Sequence, residues 1–475
     1  MANLADGALG VAHAQWFTQH KRRWPLCLMV FVCAALGVYS VLVGIGQRTA
    51  ARRLPVTKAQ VLALAPPPVP DAKNAAVVWK QAFRAMKRWT GQGRDDPTRI
   101  RTDWSNRVLF ATGSPIRAYL QDNKEAFAFA DKAAILQRCN WNCDYGQGHQ
   151  MPMVHLGPLR EIVRLCALRA RVAAFDNDWP LVERTLRTAG CAADHALTDN
   201  TLLTMLFAIA ADAISAAALE DCISIPGSMP DDKAIEGLTE LLNQRLRVAM
   251  PHADALETDR LFSLLFCDEL GTGINQAAEI AVPGGLTNSP VLFNWCSAVC
   301  SSDRAAADAN YSAAIVRLRQ TQPNNAELDT MAKEMDRRSA LGRARFHLIS
   351  SMLMPVVFRC GTSVNCRSAQ LRLSFMGLSA YGYCRSHGGK WPESLEQLVR
   401  DKAVLQDPCG TLQSRLQSKV DPKDGSLWLW SVGNNGKDDS DPAKYKGKDF
   451  LRYWREKDVV FHVPRSPQVD AGEQR

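Results

Sequence analysis

The sequence contains none of the short motifs by which common catalytic centres are recognised. Gly377 and Gly382 are one residue too far apart for a Gly-x-Ser-x-Gly nucleophile motif, and there is no His-Glu-x-x-His zinc motif. The segment 388–391 lacks the spacing and hydroxyl of a phosphate-binding loop. From Asp421, the positions that carry oxygen ligands in an EF-hand hold Lys, Gly and Val. The sequence therefore favours a non-enzymatic protein over an enzyme.

A concentration of charge of one sign is also missing. The net charge is +9 and 22% of the residues are charged, but Lys and Arg alternate with Asp and Glu along the chain. Nucleic-acid binding usually needs a basic face with aromatic platforms, so no nucleic-acid partner is predicted. The hydrophobic fraction of 47% is close to the globular average, and most of the chain should fold.

One long apolar segment lies near the N-terminus. Residues 24–46 carry no charge, and this run of about 23 residues exceeds the roughly 20 that cross a bilayer as a helix. No small-residue cleavage site is present, which predicts an uncleaved single-pass anchor after a short tail at 1–23. The lipid bilayer is therefore an expected partner. Basic residues lie on both sides of the run, so charge alone does not place the body.

The rest of the chain is predicted to be mainly α-helical. A Pro-rich stretch follows the anchor, helical periodicity begins after Asn74, and strand-like segments with turn signals appear beyond Ser386. Stacked helical hairpins after Pro158 resemble tetratricopeptide-like packing, without a clean 34-residue repeat. The predicted organisation is a Pro-rich stalk at 47–73, a solenoid-like body of helical hairpins at 74–366, a small α+β module at 367–463 and a disordered tail at 464–475.

The C-terminal module resembles the globular part of the major pseudopilin of type II secretion systems. The matching features are a long helix followed by His387–Leu398, Asp407–Gly410, Ser431–Gly436 and Asp458–Phe461. In that family, acidic side chains and backbone carbonyls of a loop bind calcium, which prefers oxygen ligands. The resemblance implies a possible calcium loop here, and a solvated acidic loop is the alternative. The candidate ligands are Asp438, Asp439, Asp441 and Asp458.

The N-terminal part departs from the pseudopilins. Lys21–Leu26 has neither a prepilin-peptidase site nor a Glu just inside the apolar helix, which favours a pseudopilin-like module on a permanent anchor. Cys143–Gly146 and Val154–Arg160 make the chain similar to a set of uncharacterised bacterial membrane-anchored proteins that end in this module. This resemblance implies a single-pass protein of the bacterial inner membrane with its body on the extracytoplasmic side. A cytoplasmic body is the alternative.

Two groups of cysteine and histidine residues are candidate sites. The first has residue types that suit tetrahedral zinc, although a local disulfide or packed thiols would also explain its cysteines. Its members are Cys139, Cys143, His149 and His155. In the second group, Cys360 and Cys366 flank a predicted loop and are the expected disulfide pair.

These observations predict an envelope scaffold that binds a protein partner through its helical body. A metal-dependent hydrolase using the group from Cys139 to His155 is one alternative. A component associated with a type II secretion-like assembly is another.

Overall fold

The structure is a computed structural model that describes residues 55–89, 110–272, 290–320, 323–344, 348–411, 413–433, 435–440 and 457–465, with single positions 37, 38, 41 and 455. Within these residues the chain is mainly helical and contains one small antiparallel sheet. The coarse prediction of a mainly α protein with a small sheet near its C-terminal end is confirmed. The predicted anchor at 24–46 and the predicted tails lie almost wholly outside the described residues.

The helices are α1 (Lys58–Leu62), α2 (Ala75–Ala85), α3 (Pro115–Asp122), α4 (Lys124–Ile135), α5 (Leu156–Phe175), α6 (Trp179–Leu197), α7 (Leu202–Ser224), α8 (Asp232–Arg247), α9 (His252–Thr272), α10 (Pro290–Gln320), α11 (Asn325–Ala344) and α12 (Leu348–Ser386). Several begin at a residue whose side chain accepts a hydrogen bond from the first turn, as Asp178, Thr201 and Asp231 do for α6, α7 and α8.

Helices α5, α6 and α7 pack side by side and are joined by short turns. The helix predicted after Pro158 begins at Leu156, and its predicted apolar face, including Leu159, Ile162 and Cys166, is buried. The turn between α5 and α6 places Asn177 in the left-handed region with φ 57°, a conformation that asparagine tolerates. Hairpin-like packing of successive helices therefore follows the apolar periodicity of the sequence.

Helix α7 is apolar on nearly every face. By length and composition alone, it is the one helix in the described part of the chain that could cross a membrane. Half of its most apolar stretch is buried, however, where it packs against α5, α6 and α12. Its buried Asp212 forms ion pairs with Arg245 of α8 and Arg367 of α12. These contacts are those of a core helix.

The sheet consists of β1 (Gln417–Val420), β2 (Leu427–Ser431) and β3 (Val459–Val463), with β2 in the centre and both pairings antiparallel. It packs against α12 through β2 and β3. Gly377 of α12 permits this close approach, because a Cβ there would lie 2.4 Å from a ring carbon of Phe461. The glycine thus determines how near the strand can come to the helix.

Helix α12 belongs to both of the predicted C-terminal units. The predicted boundary between 366 and 367 falls inside this continuous helix. One core cluster joins Leu371 and Met376 of α12 to Leu429 of the sheet and to Leu168 and Leu219 of the helical body. The sheet is therefore built onto the body and shares its core.

The described part of the predicted stalk also contacts the body. Residues 66–70 have no regular structure, as their prolines require, but Asn140 donates hydrogen bonds to the carbonyls of Pro66 and Pro67. Val61 is fully buried against residues near the 3₁₀ turn Tyr145–Gln150. Residues 55–73 are consequently docked on the helical body instead of projecting from it.

Candidate metal centre

The segment between α4 and α5 brings a thiol and an imidazole to the end of α6. Residues 136–155 are irregular apart from the 3₁₀ turn Tyr145–Gln150, and His155 is the residue from which α5 starts. Asn74 fixes the beginning of this segment, because its side chain bonds to both the amide and the carbonyl of Asn140. Asp199 lies in the turn between α6 and α7, directly before Asn200 with its left-handed φ of 46°.

Three potential ligand atoms meet where these segments cross. The Cys143 sulfur, a His155 ring nitrogen and an Asp199 carboxylate oxygen all lie within 4.8 Å of one another. The Cys143 thiol donates to Oδ2 of Asp199 at 3.3 Å, and Nε2 of His155 lies 3.3 Å from the same oxygen. Among the described residues, these three form the group of His, Cys, Asp or Glu side chains whose ligand atoms lie this close together.

The three side chains are enclosed by aromatic groups. The Trp141 ring stacks on His155 at 4.3 Å between ring centroids, and the Trp141 indole N–H donates to the carbonyl of His195. The Tyr145 hydroxyl donates to the backbone carbonyl of Asp199. His155 is 4% exposed and Asp199 is fully buried, whereas Cys143 is partly exposed. The centre is therefore shielded from solvent on most sides.

Burial controls the protonation of all three groups. It raises the pKa of Asp199 to about 6 and lowers that of His155 to about 4. Burial, with the nearby charge of Asp199, raises the pKa of the Cys143 thiol to about 12. Near neutral pH the metal-free centre thus holds a neutral thiol, a neutral imidazole and a carboxylate, and the charge of Lys80 acts on the thiol and the imidazole.

Two buried histidines near the centre differ in how their ring nitrogens are paired. His195 is fully satisfied, because its Nδ1 accepts from the Trp79 indole and its Nε2 donates to the Leu136 carbonyl. In contrast, Nε2 of His155 faces Oδ2 of Asp199 at 3.3 Å without hydrogen-bond geometry, and Oδ1 of Asp199 has no hydrogen-bond partner among the described residues. Buried polar atoms in folded proteins are nearly always paired, so these two atoms call for an explanation.

The geometry does not suit a cysteine nucleophile. In a Cys-His-Asp relay the imidazole takes the thiol proton and the carboxylate holds the opposite ring nitrogen. Here the Cys143 thiol donates directly to Asp199, and the same carboxylate oxygen faces Nε2 of His155. The raised thiol pKa also opposes formation of a reactive thiolate. The thiol and the imidazole therefore both face the same carboxylate oxygen, and the three groups do not form a proton relay.

Convergence of one sulfur, one nitrogen and one oxygen is the pattern of a tetrahedral zinc site. With zinc–ligand bonds of about 2.0–2.3 Å and an angle near 109°, neighbouring ligand atoms lie about 3.3–3.6 Å apart. The two separations of 3.3 Å involving Asp199 are at the short end of this range. A zinc ion would bind through Nε2 of His155 and through the Asp199 carboxylate, whose Oδ2 makes both short contacts and whose Oδ1 has no hydrogen-bond partner among the described residues.

Two of the four residues predicted to bind zinc lie in this centre, and two do not. The Cys139 thiol lies near Thr198 and the charge of Asp199, but outside the group of three. His149 lies apart, where its Nε2 hydrogen-bonds to Ser263 at 2.9 Å. Asp199 was not predicted. Its only local signal is an acidic residue in the turn between two apolar helices.

The described residues of the predicted calcium loop are held by hydrogen bonds. Asp458 accepts from the Asp439 amide at 3.0 Å, and Asp439 accepts from the Asn435 side chain at 2.6 Å. Asp438 accepts from the Ser440 amide. These three carboxylates are not grouped within 4.8 Å of one another, and Asp441 lies outside the described residues. Calcium binding stays a prediction.

The predicted Cys360–Cys366 disulfide is wrong. The residues between them form part of α12 and not a loop, and the structure contains no disulfide bond between the two cysteines. Six residues of α-helix separate two Cα atoms by about 9 Å, which is beyond the roughly 7 Å limit for a disulfide. Cys366 instead faces Cys409, at 3.7 Å between the sulfur atoms.

Comparison with known proteins adds no relative: no family model, no curated protein and no solved structure matches the chain.

Proposed function

We propose that this chain is a non-enzymatic, zinc-stabilised scaffold protein of the bacterial envelope. The observation that carries the zinc assignment is the convergence of the Cys143, His155 and Asp199 ligand atoms within 4.8 Å. Nε2 of His155 and Oδ1 of Asp199, which are buried without hydrogen-bond partners among the described residues, are consistent with this assignment.

The burial of the centre favours a structural ion over a catalytic one. A catalytic zinc keeps a coordination position open to substrate, whereas a structural zinc is closed by protein ligands. His155 and Asp199 are almost inaccessible, and neither of the two cavities of about 650 and 660 Å³ is lined by any of the three residues.

The position of the ion explains what it would stabilise. Cys143 belongs to the irregular segment 136–155, which contacts the docked residues 55–73. Asp199 lies in the turn between α6 and α7. Binding free energy at a site that forms only in the folded state is added to folding free energy. A zinc ion would therefore fasten the membrane-proximal segment to the helical body.

The zinc content of the purified full-length chain tests this proposal. We expect about one zinc ion per chain by mass spectrometry of the metal, and an affinity at least 10-fold lower in Cys143→Ser and Asp199→Asn. His149→Gln is the matched control, because this histidine lies outside the centre and bonds to Ser263. Zinc at background level in the wild-type chain, after incubation in zinc-buffered solution, would contradict the proposal.

The envelope location rests on the apolar run at 24–46 and on the resemblances of the sequence. Removal of residues 1–46 should release the chain from the membrane fraction, and a fusion reporter after residue 475 should be active only outside the cytoplasm. Crosslinking in native membranes should then recover an envelope partner. Recovery of none would count against the scaffold role without affecting the zinc assignment.

A further inference from the structure

Two cysteines from distant parts of the chain have their sulfur atoms in contact. Sγ of Cys366, on α12, lies 3.7 Å from Sγ of Cys409, in the loop before β1. A disulfide bond is about 2.0 Å long, so the sulfurs need to approach by about 1.7 Å. Rotation of the two side chains supplies a displacement of this size.

The backbone around the pair is fixed by buried hydrogen bonds. The Asp407 carboxylate accepts from the amides of Cys409 and Val432 and from the Ser431 hydroxyl, which ties the loop to the end of β2. The Cys409 carbonyl accepts from the Asn325 amide at the start of α11. Cys409 is therefore held opposite α12 before any covalent bond forms.

Asn325 fixes the other side of the pair. Its side-chain amide lies 3.7 Å from the Cys366 sulfur and donates to the Gly433 carbonyl at 2.8 Å. The Asn365 amide in turn donates to the Asn325 side-chain oxygen. Three separate elements, α11, α12 and the end of β2, thus meet around these sulfur atoms.

The two thiols differ in reactivity. Hydrogen bonds from Cys409 and Asn325 lower the pKa of Cys366, which is also partly exposed. Cys409 is fully buried, and the pKa of its thiol is raised because it donates to Cys366. A thiolate is the attacking species in disulfide exchange, so Cys366 is the thiol that reacts first.

We infer that Cys366 and Cys409 form a disulfide that joins α12 to the loop before β1. The inference rests on the envelope location in the proposed function, where disulfides persist, and is independent of zinc. The oxidant is a protein or small-molecule disulfide. The Cys366 thiolate attacks one of its sulfurs and expels the other as a thiolate, which leaves a mixed disulfide.

Cys409 then loses its proton to solvent and attacks the Cys366 sulfur. This step forms the intramolecular bond and releases the second half of the oxidant as a thiolate. Overall, two protein thiols lose two electrons and two protons, and one external disulfide is reduced to two thiols.

Mass spectrometry of the full-length chain from bacterial envelopes tests the inference. Free thiols are alkylated with N-ethylmaleimide during denaturing lysis, and the chain is digested without reduction. We expect a linked peptide pair containing Cys366 and Cys409 in most molecules, with Cys222, a fully buried thiol on α7, alkylated as an internal control. In Cys409→Ser, Cys366 should become alkylated.

Alkylation of both cysteines in the wild-type chain, or linkage of Cys366 to Cys360, would overturn the inference. The wild-type measurement needs no variant and does not depend on whether a substitution folds. Zinc content is measured on the same preparation, so a failure of the disulfide is distinguished from a failure of the zinc assignment.

Discussion

Asp199→Asn should stabilise the metal-free chain and abolish its response to zinc. The folded pKa of Asp199 is about 6 against an ordinary value of 3.8, so the folded state carries a penalty when the carboxyl is ionised. At about 1.4 kcal/mol per pKa unit, this penalty reaches about 3 kcal/mol above pH 7. Asparagine removes the charge, and its amide can donate to the unpaired Nε2 of His155.

Zinc should reverse the order of stability of the wild-type chain and the Asp199→Asn variant. A ligand present at 100 times its dissociation constant stabilises the folded state by about 2.7 kcal/mol, and more at higher concentrations. The wild-type chain should gain this stability, whereas Asp199→Asn should gain little because one of three ligands is missing. Urea unfolding of both proteins, each in a chelator and in zinc-buffered solution, gives the four free energies of unfolding that this comparison needs.

The dependence on pH provides a second check on the same variant. Between pH 3.8 and about 6 the folded Asp199 retains a proton that the unfolded chain releases, so this residue's contribution to stability declines as the pH rises through that window. The advantage of Asp199→Asn in the chelator should therefore be largest above pH 7 and nearly absent at pH 4. An Asp199→Asn chain that is less stable than wild type in the chelator, yet still stabilised by zinc, would refute the reasoning.

Two further predictions concern the core. Asp212→Asn should destabilise the chain by about 3–5 kcal/mol, because it leaves the buried Arg367 without a carboxylate and leaves Arg245 paired only with Asp194. Asp194→Asn, at a 40% exposed carboxylate, should cost at most about 1 kcal/mol, and equal effects of the two substitutions in urea unfolding would contradict this. Gly377→Ala should lower stability by about 1–3 kcal/mol because its new methyl group overlaps Phe461, while Gly157→Ala, with open space at its Cβ, should be neutral or stabilising in thermal unfolding.

Periodicity predicted much of the secondary structure but not the end of the helical body. The three- and four-residue spacing after Pro158 gave α5, and alternation over Leu427–Ser431 gave β2. The segment from Gly361 to Asn365 is predicted to form a loop, and its residues have low helix propensity. In the structure a Cβ at Gly361 would lie 2.9 Å from Leu328, so the glycine allows α11 to approach α12 closely. Tertiary packing overrides propensity at this point.

The sequence indicates two of the three residues of the metal centre. Cys143 and His155 are close in the chain and have the residue types that zinc prefers. Asp199 follows Cys143 by 56 positions, and no spacing rule connects an isolated acid in a turn with a distant thiol. Conversely, the spacing that included His149 was misleading, because the 3₁₀ turn directs this side chain toward Ser263. Only the packing of α5, α6 and α7 identifies which residues meet.

The length of α12 has a mechanical consequence for the described part of the chain. Its 39 residues span about 58 Å, and both the sheet and the helical body are attached along this one rod. A pull on the sheet would be transmitted along the rod to α7 and α8 through the Arg367 ion pair, instead of being absorbed by a flexible joint. The sheet and the body are therefore joined by one continuous helix, with Arg367 as a fixed point along it.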